Sequence, residues 1–144
     1  MGVPKEIKID FNMSAAIYGE SELISVIKSY SDLKESFLNV MTVNTILANK
    51  IGMLFDMSRN EPRDIYDIWF LLHRQHQFEL NFKKVLSIIK EKYSFKPTYK
   101  MIKDRLKLQS HWKTRLQKQI ADLPDQHIII NEVLNYLKKY TDAV

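Results

Sequence analysis

The sequence lacks cysteine entirely, which excludes disulfide bonds and thiolate metal sites and fits a reducing cytoplasm. Only three glycines occur, and none belongs to a G-x-G-x-x-G or P-loop pattern, which excludes a phosphate cradle of either type. No apolar run approaches the roughly 20 residues of a membrane span, and no signal-peptide pattern opens the chain. These absences predict a cytoplasmic protein with no membrane partner.

The composition is that of one folded domain, since 144 residues with 45% hydrophobic and 27% charged side chains can bury a single core. The net charge of +5 is unevenly distributed. Residues 81–118 hold twelve Lys/Arg and only two Asp/Glu, a net charge of +10. This segment is therefore the candidate surface for an anionic partner.

Three short segments near the N-terminus have the character of strands. "EIKIDFNM" (6–13) alternates apolar and polar residues, which is typical of a half-buried strand. "ELISVIKSY" (22–30) and "SFLNVMTV" (36–43) are short and rich in Ile, Val and Phe, although the first is also compatible with a helix. A lone strand is not stable, so these segments must pair with each other or with further strands.

After residue 43 the apolar spacing becomes helical. The predicted helices run from Asn44 as N-cap to near Ser58, from Asn60 as N-cap through Leu72, and over Phe82–Lys92, Tyr99–Ala121 and Ile128–Tyr140. The predicted fold class is α+β, mostly α. A strand region over 1–42 precedes a helical domain over 43–144.

The stretch "RNEPRDIYDIWFLLHR" (59–74) has two interpretations. Asp64 falls in a first helical turn, which suits a carboxylate, and Arg63 and Asp67 are spaced for a weak surface pair, so the stretch could be only the charged start of a buried helix. Lys50 favours a site instead. It shares a stripe with the apolar Ile46, Met53 and Met57.

An ammonium group partly removed from water must find a carboxylate or shift its pKa. Asp64 and Asp67 share one face of the next helix and could supply the carboxylates. Such a cluster fits either a phosphate-handling group or a structural ion pair, and the residues alone leave both open.

The segment "VNTILANKIGMLFDMSRNEPRDIYDIWFLL", Val43 to Leu72, resembles the C-terminal signature of the AbiEii/AbiGii-type nucleotidyltransferase toxins. The resemblance places the family lysine on Lys50 and the Arg-Asp-x-x-Asp motif on Arg63, Asp64 and Asp67. "IKIDF" also resembles the family's acidic strand, which would make Asp10 a metal ligand. Hydrophobic-Asp-hydrophobic is a common pattern, so Asp10 is equally explained as the solvent side of an edge strand.

The resemblance implies a nucleotidyltransferase that uses Mg²⁺ and a nucleoside triphosphate, modifies an RNA such as tRNA, and has an antitoxin partner. Lys50 and Arg63 would bind nucleotide phosphate, with Lys50, Asp64 and Asp67 as catalytic residues. Two departures matter. Met57 replaces an expected arginine, with Arg59 the nearest substitute, and the chain has neither a Gly-Gly/Gly-Ser turn nor an Asp-x-Asp pair for the metal ions.

The expectation is therefore the C-terminal part of such a toxin, inactive alone: a C-terminal fragment, a truncated homologue, or one half of a split enzyme whose partner is an N-terminal half protein. Six cations of the basic segment are candidates for nucleic-acid binding: Lys100, Lys103, Arg105, Lys107, Lys113 and Arg115. The interleaved aromatics Tyr93, Phe95, Tyr99 and Trp112 would stack on bases, or else lie in the core behind a solvated face. The alternative functions are a non-enzymatic domain that binds nucleic acid or a partner protein, and a purely structural helical subdomain.

The four histidines give little support for a metal site. His73 and His76 are three residues apart, whereas a helical zinc pair is usually spaced by four, with a third ligand nearby. No serine, histidine and aspartate arrangement can be assembled with any specificity.

Overall fold

The computed structural model describes residues 18–26, 34–59, 61–107 and 111–141. Within these ranges the elements are β1 (Ser21–Ser25), β2 (Phe37–Met41), α1 (Val43–Met53), α2 (Pro62–His73), α3 (Phe82–Tyr93), α4 (Tyr99–Arg105), α5 (Trp112–Leu116) and α6 (Gln126–Thr141). The predicted class, α+β and mostly α, is confirmed. The predicted boundary at residue 43 coincides with the start of α1, but a division into two domains stays a prediction.

The two strands form an antiparallel hairpin in which Ser21 lies opposite Met41 and Ser25 opposite Phe37. Both strand predictions that fall on these residues are confirmed, and the helical alternative for the first is wrong over β1. The hairpin leaves large apolar side chains in solvent, with Leu23 69% and Leu38 59% exposed. The predicted strand over 6–13, with the candidate metal ligand Asp10, lies outside the described residues.

Helix α1 begins two residues earlier than predicted, with Thr42 rather than Asn44 as its N-cap. Thr42 has an extended backbone, and its hydroxyl accepts from the Thr45 amide at 3.3 Å. The Asn44 side chain instead accepts from the backbone amide of Asn81 at 2.8 Å, which ties α1 to the start of α3. α1 also ends at Met53 rather than near Ser58.

That early end changes the environment expected for Lys50. Met57 lies beyond the helix and is 77% exposed, and Ile46 is 37% exposed, so these two residues do not form a buried stripe around the lysine. The lysine is partly covered because α1 packs against α2.

Helix α2 begins at Pro62 and its N-cap position is Glu61, without a capping side-chain hydrogen bond. The predicted cap, Asn60, lies outside the described residues. Proline is well tolerated in a first helical turn, because the amide it lacks would have no partner there. The predicted apolar face is confirmed in Ile65, Ile68 and Leu72, which are at most 1% exposed.

The long helix predicted over Tyr99–Ala121 is wrong, because α4 ends at Arg105 and α5 runs only over Trp112–Leu116. Ile102 and Leu106 are buried as one i, i+4 pair, and Trp112 and Leu116 as a second. In a continuous helix the six residues from Leu106 to Trp112 would rotate the second pair about 240° away from the first. A break between the pairs lets both reach the core.

The helical core is formed where α1 packs on α3 and α2, and where α2 packs on α6. Leu47, Ile68, Val85 and Val133, one from each of these helices, are fully buried. The predictions for the third and last helices are confirmed to within two residues at each end. Within the described ranges, no helix is long and apolar enough to cross a membrane.

Candidate functional site

The candidate site lies where the last turn of α1 meets the first two turns of α2. Lys50 is in the last turn of α1, and Asp64 is in the first turn of α2. Asp64 and Asp67 are three residues apart and therefore project from one face of their helix. The Lys50 ammonium nitrogen lies 2.8 Å from Asp64 Oδ1 and 2.6 Å from Asp67 Oδ2. The structure thus brings together the three residues proposed as catalytic.

Asp64 is the buried member of the cluster, at 3% exposure. Its Oδ1 accepts from Lys50 Nζ at 2.8 Å and from Arg59 Nη2 at 3.3 Å, and its Oδ2 accepts from Arg59 Nε at 2.6 Å. Two cations on either side of a buried carboxylate remove the cost of leaving it unpaired. Asp64 is therefore the residue that organises the cluster.

The electrostatics follow from these contacts. Burial alone would raise the pKa of Asp64, but hydrogen bonds from Arg59 and Lys50, together with their charges, outweigh it and hold that pKa below its usual value. Burial alone would lower the pKa of Lys50, but hydrogen bonds and charge from Asp64 and Asp67 raise it. Both groups are accordingly ionised at neutral pH.

Asp67 is more accessible, with its side chain 29% exposed. The oxygen that contacts Lys50 at 2.6 Å is also the one nearest Arg63, whose Nε lies 3.9 Å away. Arg63 is 63% exposed, so its pairing with Asp67 is loose and its guanidinium can meet a ligand from solvent.

The cluster can attract an anion. Lys50, Arg59 and Arg63 carry three positive charges against the two carboxylates of the cluster, and the charges of Glu61 and Asp56 also act on Arg59, so Lys50 and Arg63 are the cations left for an anion. Two of the three ammonium donors of Lys50 face carboxylates, which leaves one donor on a side chain that is 24% exposed. A phosphate oxygen can therefore contact Lys50 without displacing either aspartate.

The described residues do not fit a divalent metal. No group of three His, Asp or Glu side chains in the described ranges is arranged to hold an ion. Asp64 and Asp67 already face cations, which compete with a metal for the same oxygens. His73 Nδ1 lies 3.6 Å from Glu132 Oε2, and none of the four histidines belongs to a metal-binding group of the described residues.

All six cations predicted to bind nucleic acid are exposed: Lys100, Lys103, Arg105, Lys107, Lys113 and Arg115. They do not share one helix, because they are divided between α4, α5 and the connection. Arg105 also has local partners, since its guanidinium contacts Met57 Sδ and lies 5.9 Å from the Phe55 ring.

The aromatics between these cations mostly face the core. Trp112 is 4% exposed and its indole donates to the Pro124 carbonyl at 3.3 Å, while Tyr93 and Phe95 pack against the core. The prediction that Trp112 stacks on nucleic-acid bases is therefore wrong, and the alternative prediction, that Trp112 lies in the core, is confirmed.

Two features of this region were weakly signalled in the sequence. The sequence marks Arg59 only as the substitute for a missing family arginine, yet Arg59 makes the 2.6 Å contact to Asp64. Glu132 accepts from the Trp69 indole at 2.7 Å and links α2 to α6. An isolated glutamate on a helix carries no pattern that could have revealed this contact.

A mostly helical α+β fold, with a lysine set between the aspartates of an Arg-Asp-x-x-Asp motif, defines the class of protein. The family is that of the nucleotidyl transferase AbiEii toxins of type IV toxin–antitoxin systems, whose family model matches residues 2–139, and the chain belongs to it. Neither a search of curated proteins nor a search of solved structures finds a significant match.

Proposed function

We propose that this chain contributes nucleotide-phosphate binding to a nucleotidyltransferase-like toxin. One observation carries the proposal: the Lys50 ammonium is held between Asp64 and Asp67 and still keeps a donor for an incoming phosphate. Because the pKa of Asp64 lies below its usual value, Asp64 stays ionised and orients Lys50. Asp67 is the more accessible carboxylate and takes the acid/base role. Arg63 adds a second phosphate contact.

The acceptor is proposed to be RNA, such as tRNA, held by the exposed cations of α4, α5 and the connection between them. Several cations that each neutralise one phosphate give binding that weakens steeply with salt. The exposure of all six supports this assignment. An antitoxin partner and a cytoplasmic location are part of the same proposal.

The acidic pair that would hold Mg²⁺ and a nucleoside triphosphate is assigned to a partner module. The described carboxylates of the cluster are occupied by cations, so they are poor candidates for this task. The exposed apolar side chains of the hairpin support the proposal that region 1–42 completes a nucleotidyltransferase-like sheet, because apolar surface of this kind is usually covered.

The test combines the chain with an N-terminal module that carries a Gly-Ser turn and an Asp-x-Asp pair, and follows transfer of labelled nucleotide to tRNA with Mg²⁺. Lys50→Ala and Asp67→Asn should each abolish most of the transfer. Lys34→Ala, which removes an exposed lysine of the hairpin loop, should leave it unchanged. Circular dichroism of each variant checks folding. Full transfer by Lys50→Ala would show that the site assignment is wrong.

A second function, non-enzymatic binding of nucleic acid, is favoured by the exposure of the same six cations. It predicts salt-dependent binding of single-stranded RNA that Asp67→Asn does not change. Joint replacement of Lys103, Arg105 and Lys107 by Gln should abolish that binding. If it does, and no partner module restores transfer, the binding function replaces the enzymatic one.

A further inference from the structure

A second cationic feature lies beside the Lys50 cluster, in a cleft between the start of α2 and α5. Its volume is about 320 Å³, which is within the range of small-ligand sites. We call it the arginine cleft, and its lining residues are Arg59, Glu61, Arg63, Arg115, Leu116 and Gln119.

The three arginines differ in how far they are already neutralised. Arg59 is committed to the buried Asp64 at 2.6 Å. Arg63 lies 3.9 Å from an Asp67 oxygen that sits closer to Lys50. Arg115 is exposed and forms no ion pair with any residue of the described ranges. The guanidinium groups of Arg63 and Arg115, which come from different helices, are therefore the ones that a carboxylate does not fully neutralise.

The chemistry of the lining selects the ligand. Asp64 neutralises Arg59, which leaves Arg63 and Arg115 against one lining carboxylate, that of Glu61, so the cleft favours anions. Guanidinium groups bind phosphate through two parallel hydrogen bonds, and the Gln119 amide adds a neutral donor at the same lining. A carboxylate ligand would use one guanidinium, whereas a phosphate with several free oxygens can engage both.

We infer that the arginine cleft binds a phosphate group, held by Arg63 and Arg115, at a position separate from the Lys50 donor. The inference rests on the proposed function in that the phosphate belongs to a nucleotide or to an RNA strand. It adds Arg115 of α5 to the residues that bind phosphate. The Lys50 cluster and the cleft would then hold two different phosphates.

The test measures binding of inorganic tripolyphosphate to the full chain by isothermal titration calorimetry. Loss of one charged hydrogen-bonding partner should weaken binding about tenfold in each of Arg63→Gln and Arg115→Gln. Arg74→Gln is the matched control. It removes an arginine at the other end of α2, where the guanidinium lies 4.3 Å from the Phe70 ring, outside the cleft. It should bind like the unmodified chain.

Two further probes identify the source of the phosphate. If the group belongs to a nucleotide, Arg115→Gln should weaken ATP binding as much as tripolyphosphate binding. If it belongs to RNA, Arg115→Gln should weaken a 5′-phosphorylated RNA oligonucleotide and leave ATP unchanged. Either result supports a phosphate site in the cleft.

The inference of a phosphate site in the cleft is overturned if the unmodified chain does not bind tripolyphosphate. It is also overturned if Arg115→Gln binds tripolyphosphate as well as Arg74→Gln does. This outcome is separate from failure of the proposed function. Nucleotide transfer that depends on Lys50 would uphold that function even without the cleft. Arginine-dependent tripolyphosphate binding would uphold the cleft even if no partner module restored transfer.

Discussion

The Lys50 ammonium nitrogen lies 2.8 Å from the Asp64 carboxylate, although the two residues are 14 positions apart and belong to different helices. The contact fixes the last turn of α1 against the first turn of α2. Removing one partner of a buried ion pair is costly, because it leaves the other charge unpaired away from water. The same contact that organises the site therefore also matters for folding.

Replacement of Asp64 should destabilise the protein much more than replacement of Asp67. Asp64→Ala leaves Lys50 and Arg59 without their shared buried carboxylate, and we expect a loss of about 3 kcal/mol in the free energy of unfolding. Asp67→Ala removes a carboxylate that is 29% exposed, and should cost about 1 kcal/mol or less. Urea unfolding followed by circular dichroism measures both. Equal losses would mean that Asp64 is not the centre of the cluster.

The cluster should also give the stability a defined pH dependence. The folded-state pKa of Asp64 lies below its ordinary value of 3.8, so its contribution is present above that value and is lost as the pH falls through the folded pKa. The pKa of Lys50 is raised above 10.5, so its contribution is complete below that value and is lost as the pH rises through the folded pKa. The contribution of this pair is therefore constant between about pH 4 and pH 10.

Urea unfolding across pH 2–7 tests the acid side of this dependence. Asp64→Asn should show a smaller fall in stability on acidification than the unmodified chain. Asp56→Asn is a comparison variant outside the ion-pair cluster: hydrogen bonds from Ser58 lower the pKa of this exposed carboxylate, so by the same linkage its replacement should also reduce the fall, independently of Lys50. An equal loss of stability on acidification in Asp64→Asn and in the unmodified chain would contradict the assignment of this pH dependence to Asp64.

The meeting of Lys50 with Asp64 and Asp67 could be predicted because the spacing of the two aspartates places them on one helical face and a partly covered lysine needs a carboxylate. The apolar stripe expected around Lys50 was wrong, since α2 supplies the cover. The sequence did not predict Arg59 as a direct partner of Asp64. Arg59 lies between two helices, where no periodicity applies, and its contact depends on how the connection folds. Arg115 is a similar case, since its place beside Arg63 depends on how α5 packs against α2.

Helix boundaries show the same contrast between features that local sequence determines and features that tertiary packing determines. The segment with a continuous apolar face, α3, ended within one residue of its prediction. The segment over Tyr99–Ala121 was predicted as one long basic helix, yet burial of both Leu106 and Trp112 required a break. Tertiary packing thus overrode local helical preference.

Tyr93 offers a test of an unsatisfied polar group. Its hydroxyl is buried with no hydrogen-bond partner among the residues that the structure describes, and burial raises the pKa of this phenol. Tyr93→Phe should raise the free energy of unfolding by about 1 kcal/mol, because it removes a desolvated hydroxyl that gains nothing in the folded state.

Tyr140→Phe is the matched control with the opposite sign. The Tyr140 hydroxyl donates to Gln75 Oε1 at 3.1 Å, so its removal should cost about 1 kcal/mol. Thermal unfolding of both variants compares the two effects in one experiment. Destabilisation by Tyr93→Phe would indicate that the Tyr93 hydroxyl does have a partner in solution, such as a bound water.

Gly52 should resist substitution because of the ring that lies over it. A Cβ at position 52 would lie within 2.4 Å of two Tyr93 ring carbons, so Gly52→Ala must displace the ring and should cost about 1–3 kcal/mol despite the better helix propensity of alanine. The position is two residues from Lys50 on the same helix, so displacement of α1 would also disturb the site.

Leucine has a smaller side chain than tyrosine. In a Tyr93→Leu background the same Gly52→Ala change should therefore leave the free energy of unfolding almost unchanged. A double-mutant cycle by urea unfolding measures this coupling between Gly52 and Tyr93. An equal cost in both backgrounds would show that the ring does not explain the glycine.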